Sequence, residues 1–315
     1  MDQADLEKTV LSGLTQTPPR LPHKLFYDRD GSILFDQICE LPEYYLTRAE
    51  IEILETYGAE IAAELGPRAV LVELGSGSST KTRLLLDSLP DLHRYVPVDI
   101  SAEHLHEAAE ALRAAHPGLE VEPLVYDYSR TMPDVSALRD APAGSRVTVF
   151  FSGSSIGNFD RDHASRFLDG MARMAGPDGR VLVAADLRKD PALLEAAYDD
   201  SAGVTAAFNQ NVLERLNRDL GADFDRDAWR HRAVWRDAES RIEMRLVSTR
   251  QQQVTIGARK LEFREGDFIV TEHCHKYTVE DFGRLAASAG LVTRKTWLDG
   301  QGRFSLHLLA REPSV

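Results

Sequence analysis

The chain is poor in cysteine, with Cys39 and Cys274 alone among 315 residues. Two thiols build no disulfide framework, so the expected compartment is a reducing cytoplasm. No stretch is apolar and long enough to cross a bilayer, and the start, Met1-Asp2-Gln3-Ala4-Asp5, lacks the pattern of a secretory signal. Basic residues are scarce relative to acids: 37 Lys and Arg against 50 Asp and Glu leave a formal charge of −13. That balance disfavours a nucleic-acid backbone or an anionic membrane as partner. Internal repeats and low-complexity runs are missing too. What remains, 43% hydrophobic and 28% charged residues, is the composition of a soluble globular protein. Its length suits one and a half to two domains.

The first twenty or so residues are polar and lead to Pro18, Pro19 and Pro22, a pattern that predicts a hinge ahead of the folded part. Ile33, Leu34, Ile38 and Leu41 form a short helical stripe. Beyond Pro42 a longer helix is predicted from Thr47, which has capping-box spacing with Glu50. From Val70 strands and helices alternate, with strands predicted at 70–74, 94–99, 121–125, 147–152 and 181–185 and helices such as 102–115 and 161–175 between them. Alternation of this kind predicts a parallel doubly wound sheet. The rhythm breaks after Leu187. Polar helices over 192–220 precede a hairpin-like stretch at 241–248, 253–256, 260–263 and 267–277. A helix from Val279 to about Ser288 and two strands, 291–298 and 303–310, then resume the sheet pattern around the turn Asp299-Gly300-Gln301-Gly302. The predicted organisation is α/β: a Rossmann-like sheet at 59–188, completed by a reversed terminal hairpin at 278–315. A second α+β domain is inserted at 189–277, and helical residues 1–58 are expected to belong with it.

Chemistry first shows at Val70-Leu71-Val72-Glu73-Leu74-Gly75-Ser76-Gly77-Ser78-Ser79-Thr80-Lys81. A β-branched run ends in an acid, then two glycines one residue apart, then helix-forming sequence. That is a strand, a tight turn and a helix N-terminus, where backbone approaches a nucleotide-like ligand. Thr80 stands where the dinucleotide fingerprint has its third glycine, which favours S-adenosylmethionine (SAM) over a nicotinamide. Asp99 closes the second strand, where an acid meets ribose hydroxyls. Asp127 closes the third, where a carboxylate accepts from an adenine amine, with Tyr128 against the ring. The loop Ser152–Asn158 faces the same edge, and the terminal hairpin is usual for SAM-dependent methyltransferases. Lys81 taken alone reads more readily as a solvated first-turn lysine than as part of the site.

The segment Phe268–Tyr277 holds Glu272, His273, Cys274 and His275, all metal-ligand types. Strand alternation puts the two histidines on one face and Glu272 with Cys274 on the other, so the four do not converge on one ion and no metal is expected. Glu272 and Cys274 instead line a pocket, where a carboxylate suits a ligand N–H or cation.

Several blocks together resemble the SAM-dependent histidine Nα-methyltransferases of ergothioneine biosynthesis, over nearly the whole length. They are Phe26-Tyr27-Asp28 with Gly31-Ser32 and Leu34-Phe35-Asp36, Leu41-Pro42-Glu43-Tyr44-Tyr45 with Thr47-Arg48, Glu73-Leu74-Gly75-Ser76-Gly77, Gly153-Ser154 with Ile156-Gly157-Asn158-Phe159, Ala197-Tyr198 with Gly203–Asn209, Arg241-Ile242-Glu243-Met244, and Thr271-Glu272 with Lys276-Tyr277. The resemblance implies that Tyr44, Asn158 and Tyr198 hold the amino acid's α-amino and α-carboxylate groups, with Tyr27 close to the amine. It places Glu272 on the imidazole and Met244 beside the side-chain pocket. Gly75, Ser76, Gly77, Lys81, Asp99, Asp127 and Tyr128 fall where the family binds SAM. Cys274 departs from the pattern, since the family usually has serine there, and a thiol is the weaker hydrogen-bond partner.

Methyl transfer from a sulfonium is an in-line displacement that needs alignment and an unprotonated amine. Tyrosine hydroxyls and an asparagine amide leave room around nitrogen, so the expectation is three successive methylations giving a betaine. Three alternatives carry less: the same chemistry on tryptophan or a histidine derivative, a SAM-binding protein without turnover, and a nucleic-acid methyltransferase. The charge and the lack of an Asn-Pro-Pro-Tyr type motif after the fourth strand oppose the last. The expected partner is a free amino acid, and a monomer is the expected state.

Overall fold

The computed structural model describes residues 3–77, 80–129, 131–135, 142 and 144–312, so Ser78 and Ser79 of the glycine turn lie outside the described residues. In chain order come α1 (Gln3–Leu14), α2 (Arg29–Glu40), α3 (Tyr45–Leu65), β1 (Val70–Leu74), α4 (Thr80–Asp87), β2 (Arg94–Asp99) and α5 (Ala102–Ala115). There follow β3 (Glu120–Val121), β4 (Leu124–Val125), β5 (Val147–Phe151), α6 (Arg161–Ala175), β6 (Arg180–Asp186), α7 (Pro191–Tyr198) and α8 (Val204–Leu220). The remainder is β7 (Trp229–Arg236), β8 (Arg241–Ser248), β9 (Gln252–Ile256), β10 (Arg259–Phe263), β11 (Phe268–His275), α9 (Val279–Ser288), β12 (Leu291–Leu298) and β13 (Phe304–Arg311).

Two compact units form. One comprises Leu46–Arg188 and Lys276–Val315, the other Met1–Tyr45 and Lys189–His275. In the first, eight described strands make one sheet in the order β12-β13-β6-β5-β1-β2-β3, with β4 also on β2. Strands β1, β2, β5 and β6 run parallel, while β13 is antiparallel to both β6 and β12. This is the Rossmann-like methyltransferase sheet with its reversed hairpin. All five residues of β1 are buried, as in a strand covered on both faces. Val72, Leu74, Val149 and Phe151 pack against Phe167, Leu168 and Met171 of α6 and Phe282 and Leu285 of α9. The predicted strand 121–125 is instead two short strands. Pro123 between them has no N–H for the ladder.

Helix α3 belongs with this unit, so the first boundary falls after Tyr45 rather than at 58. The reason is its buried stripe of Ile53, Leu54, Ile61 and Leu65, together with Glu60, which accepts from Trp297 Nε1 at 3.1 Å and pairs with Lys295. The helix starts at Tyr45, two residues before the expected cap. Glu50 is therefore already inside it and serves another purpose.

In the other unit, β7, β8 and β11 form an antiparallel sheet in the order β11-β8-β7, and β9 pairs with β10. β7 escaped the sequence reading because its exposed face, Arg230 and Arg232, breaks any apolar run. The polar start of the chain is no hinge. Leu6, Val10 and Leu14, spaced four apart, bury one face of α1, and Leu21 N donates to Val270 O at 2.8 Å. Among the described residues no helix is long and apolar enough to cross a membrane.

Candidate active site

At the carboxyl ends of β1 and β2 the chain turns sharply at Gly75 (φ +72°) and Gly77 (φ +51°), conformations that disfavour a side chain. A Cβ on Gly75 would lie 2.5 Å from Tyr128 Oη, whereas one on Gly77 would meet nothing within 4 Å. Backbone thus stays bare at one glycine and is covered by a phenol at the other. The Asp99 carboxylate accepts from Gly77 N at 3.3 Å and Ser101 N at 3.0 Å, and Asp127 accepts from Ser129 N at 3.1 Å. Tyr128 stands edge-on to Phe151, with centroids 5.9 Å apart. Burial above all, then the carboxylates of Asp99, Asp127 and Glu73, hold its phenol well above the ordinary range. Ser76 Oγ is buried with no hydrogen-bond partner among the described residues.

The acid before the turn faces inward. Glu73 accepts from Thr82 Oγ1 at 2.6 Å and Tyr95 Oη at 2.5 Å, and burial pushes its carboxyl up to about 7. Lys81 does not stand in solvent. Its ammonium is 2.6 Å from the Glu50 carboxylate, which also accepts from Gly153 N. Sequence reasoning missed Glu50 because its spacing from Thr47 fitted a cap. Beyond β5, Gly153 (φ +71°) and Ser154 (φ +61°) open a single-turn helix, Ser155–Asn158, whose last residue is Asn158. Ser154 Oγ accepts from Asp186 N at 2.8 Å and fixes that turn.

The other unit gathers the remaining candidates. Tyr27 packs edge-on to Phe35 and Phe208 (5.7 and 5.9 Å), Phe35 to Tyr44 (6.3 Å), and Tyr44 to Tyr198 (6.1 Å). Tyr198 Oη donates to Cys274 Sγ at 3.0 Å, and Glu272 stands opposite Met244 across β11 and β8. Burial raises the Tyr44 phenol well above its ordinary range, and Cys39, Tyr27, Cys274 and Glu272 beside it add to the shift. Tyr27, Tyr44, Tyr198, Met244, Glu272 and Cys274 are brought together here. Phe35 and Phe208 lie inside the Leu34–Asp36 and Gly203–Asn209 blocks but had no site role assigned, and neither had Cys39. The backbone of Tyr198 is held by His231, whose Nε2 is 2.7 Å from Tyr198 O.

His273 lies on the opposite face of β11. It faces Glu243 at 3.7 Å, which Arg241 and Arg245 grip at 2.6 and 2.5 Å. Burial first, then the guanidinium groups of Arg241 and Arg20, push its imidazole down to about 3. Among the described residues no group of three or more His, Cys, Asp or Glu side chains is placed to hold a metal ion.

Residues 6–311 match the family model described as "Histidine-specific methyltransferase, SAM-dependent". The chain belongs to this family of SAM-dependent, histidine-specific methyltransferases. Histidine N-alpha-methyltransferase of Mycobacterium tuberculosis is 44% identical over 312 residues, covering 97% of this chain and 95% of that protein. Its counterpart from Mycolicibacterium smegmatis is 44% identical over 311 residues with the same coverage. Ergothioneine biosynthesis protein 1 of Neurospora crassa is 33% identical over 300 residues, and the match spans 33% of that longer protein. The residues at these strand ends suit the family's cofactor. A bare glycine backbone, two strand-end carboxylates and the unpartnered Ser76 hydroxyl offer the donors and acceptors that a polar nucleoside and an amino-acid tail require.

Proposed function

We propose that this methyltransferase transfers methyl groups to the α-amino nitrogen of L-histidine, three in succession, to give the trimethyl betaine hercynine for ergothioneine biosynthesis. The observation that carries the reading is the aromatic box of Tyr27, Phe35, Tyr44, Tyr198 and Phe208 with Glu272 at its side. Bound SAM supplies an electrophilic methyl on a sulfonium. Gly75, Ser76, Gly77, Asp99, Asp127 and Tyr128 are the residues we assign to hold it, with Lys81 at the edge.

Tyr44, Tyr198 and Asn158 take the amino acid's charged end. Burial keeps the Tyr44 phenol neutral, so Tyr44 Oη donates to a carboxylate and accepts from an amine without taking its proton. The same burial disfavours an ammonium and selects the neutral, nucleophilic amine. After each of the first two transfers the methylammonium gives up a proton to water, which restores the lone pair; the third leaves a quaternary cation without N–H, and aromatic faces suit such a cation. Glu272 accepts from an imidazole N–H, Met244 closes that pocket, and Cys274 fixes the Tyr198 ring. This reading has the enzyme act as a monomer in a reducing cytoplasm, in keeping with a chain of only two cysteines.

Incubation with SAM and a panel of free amino acids, followed by mass, tests it. Histidine is expected to gain three methyl groups; no gain on histidine, with gain on another amino acid, would overturn the assignment. Glu272→Ala is expected to weaken histidine binding and leave SAM binding intact.

A further inference from the structure

Glu50 has no role in the reading above, and its surroundings supply one. It is wholly buried (0% exposed) yet carries a carboxylate. Oε2 lies 2.6 Å from Lys81 Nζ, and both oxygens lie 3.1 Å from Gly153 N. Lys81 sits in the first turn of α4, directly behind the glycine turn. Gly153 opens the turn that ends in Asn158. Strands β1 and β5 are parallel neighbours, with Leu74 opposite Phe151, so one carboxylate ties the segments that leave two adjacent strands. The fit is close: a Cβ on Gly153 would come within 3.3 Å of Lys81 Nζ.

Burying a carboxylate is costly unless a counter-charge and donors replace its water. Glu50 has both, from the first turn of α4 and from the turn after β5, and from nothing in its own helix cap. A purely structural ion pair inside α3 would need neither segment. We infer that Glu50 is a positioning residue for methyl transfer, one carboxylate that holds the Lys81 ammonium and the Gly153 N–H and so couples the cofactor turn to the turn presenting Asn158. The inference rests on the assignment of Lys81 to SAM and Asn158 to histidine.

Calorimetric titration of the intact protein with S-adenosylhomocysteine, and with histidine at saturating S-adenosylhomocysteine, separates the possibilities. Glu50→Gln and Lys81→Met are each expected to weaken S-adenosylhomocysteine about tenfold, the scale of one charge-assisted hydrogen bond. The double variant should lose no more than either single one, because the two act as a unit. Glu50→Gln should also weaken histidine about tenfold, through Gly153, while Lys81→Met leaves it within about twofold. Multiplying losses in the double variant, or histidine binding indifferent to Glu50→Gln, would overturn the proposal. If the glutamine variant does not fold, Glu50→Asp keeps the charge but withdraws it by one methylene. Weaker binding of both ligands then supports the coupling, and unchanged binding of both refutes it. A wild-type protein that binds S-adenosylhomocysteine but no histidine would unseat the functional reading, leaving the Glu50–Lys81 cycle to decide the pairing.

Discussion

Lys276→Met is expected to be among the most destabilising single changes in the sheet unit. Lys276 Nζ and Asp186 Oδ2 are 2.7 Å apart and neither side chain has any solvent exposure (0% and 0%). The two residues stand where the chain leaves and re-enters this unit. Their backbones are laced together, Tyr277 N donating to Asp186 O at 3.1 Å and Arg188 N to Tyr277 O at 2.7 Å. Removing the ammonium leaves a buried carboxylate without its counter-charge, a change that costs about 3–5 kcal/mol. At roughly 2–4 °C per kcal/mol for a domain of this size, the midpoint should fall on the order of 10 °C. Replacing both partners is different. A Lys276→Met, Asp186→Leu double variant loses the attraction and the desolvation together, and should recover most of the stability. Scanning calorimetry without ligand, run on the wild type, both single variants and the double, measures the cycle. A loss under about 1 kcal/mol for Lys276→Met, or a double variant as unstable as the single one, would refute the reasoning.

Other consequences are as direct. The folded carboxyl of Glu73, at about 7, lies above its ordinary value of 4.5, so the folded state holds an extra proton between those values and stability falls as pH rises through them. Glu73→Gln should flatten that slope and be the more stable above pH 7 by roughly 2–3 kcal/mol; denaturation curves at pH 5 and 8 that shift in parallel for both proteins would contradict it. His307, pushed down to about 3 by burial, and His273, at about 3, should stay neutral while the unfolded chain binds protons below 6.5. Their contribution is thus lost as pH falls from 6.5 towards 3, and imidazole NMR signals titrating near 6.5 would disprove the assignment. Gly75→Ala and Gly77→Ala both incur left-handed strain of about 1–2 kcal/mol, but only the first displaces Tyr128. S-adenosylhomocysteine affinity should therefore drop further for Gly75→Ala, and Tyr128→Phe added to it should restore part of the loss; equal affinities would count against the contact.

The sheet was legible because its strands are short apolar runs punctuated by acids and glycines, and β1 and β2 fall where periodicity puts them. The glycine turn and its strand-end carboxylates were legible for the same reason, since each follows a strand directly. Distance in the chain hid the rest. Glu50 and Gly153 meet across 103 positions, and no local rule links them. Nor could spacing show that Tyr198 rests on Cys274, or that a stripe of three apolar residues anchors the otherwise polar α1. Cys274 was visible as a departure from serine, but its hydrogen bond to Tyr198 was not.

The strand last in chain order is an interior one. β13 lies between β12 and β6, and Phe304, Ser305, Leu306, His307, Leu308 and Leu309 have no exposed surface. During synthesis on the ribosome, the apolar edge of β6 therefore waits uncovered while β7 to β12 are made. An unpaired, uncharged strand edge is a template for pairing with another chain. Nascent chains stalled before Phe304 would be expected to associate or to be held by chaperones, and docking of β13 would act as the latch that ends this vulnerable interval.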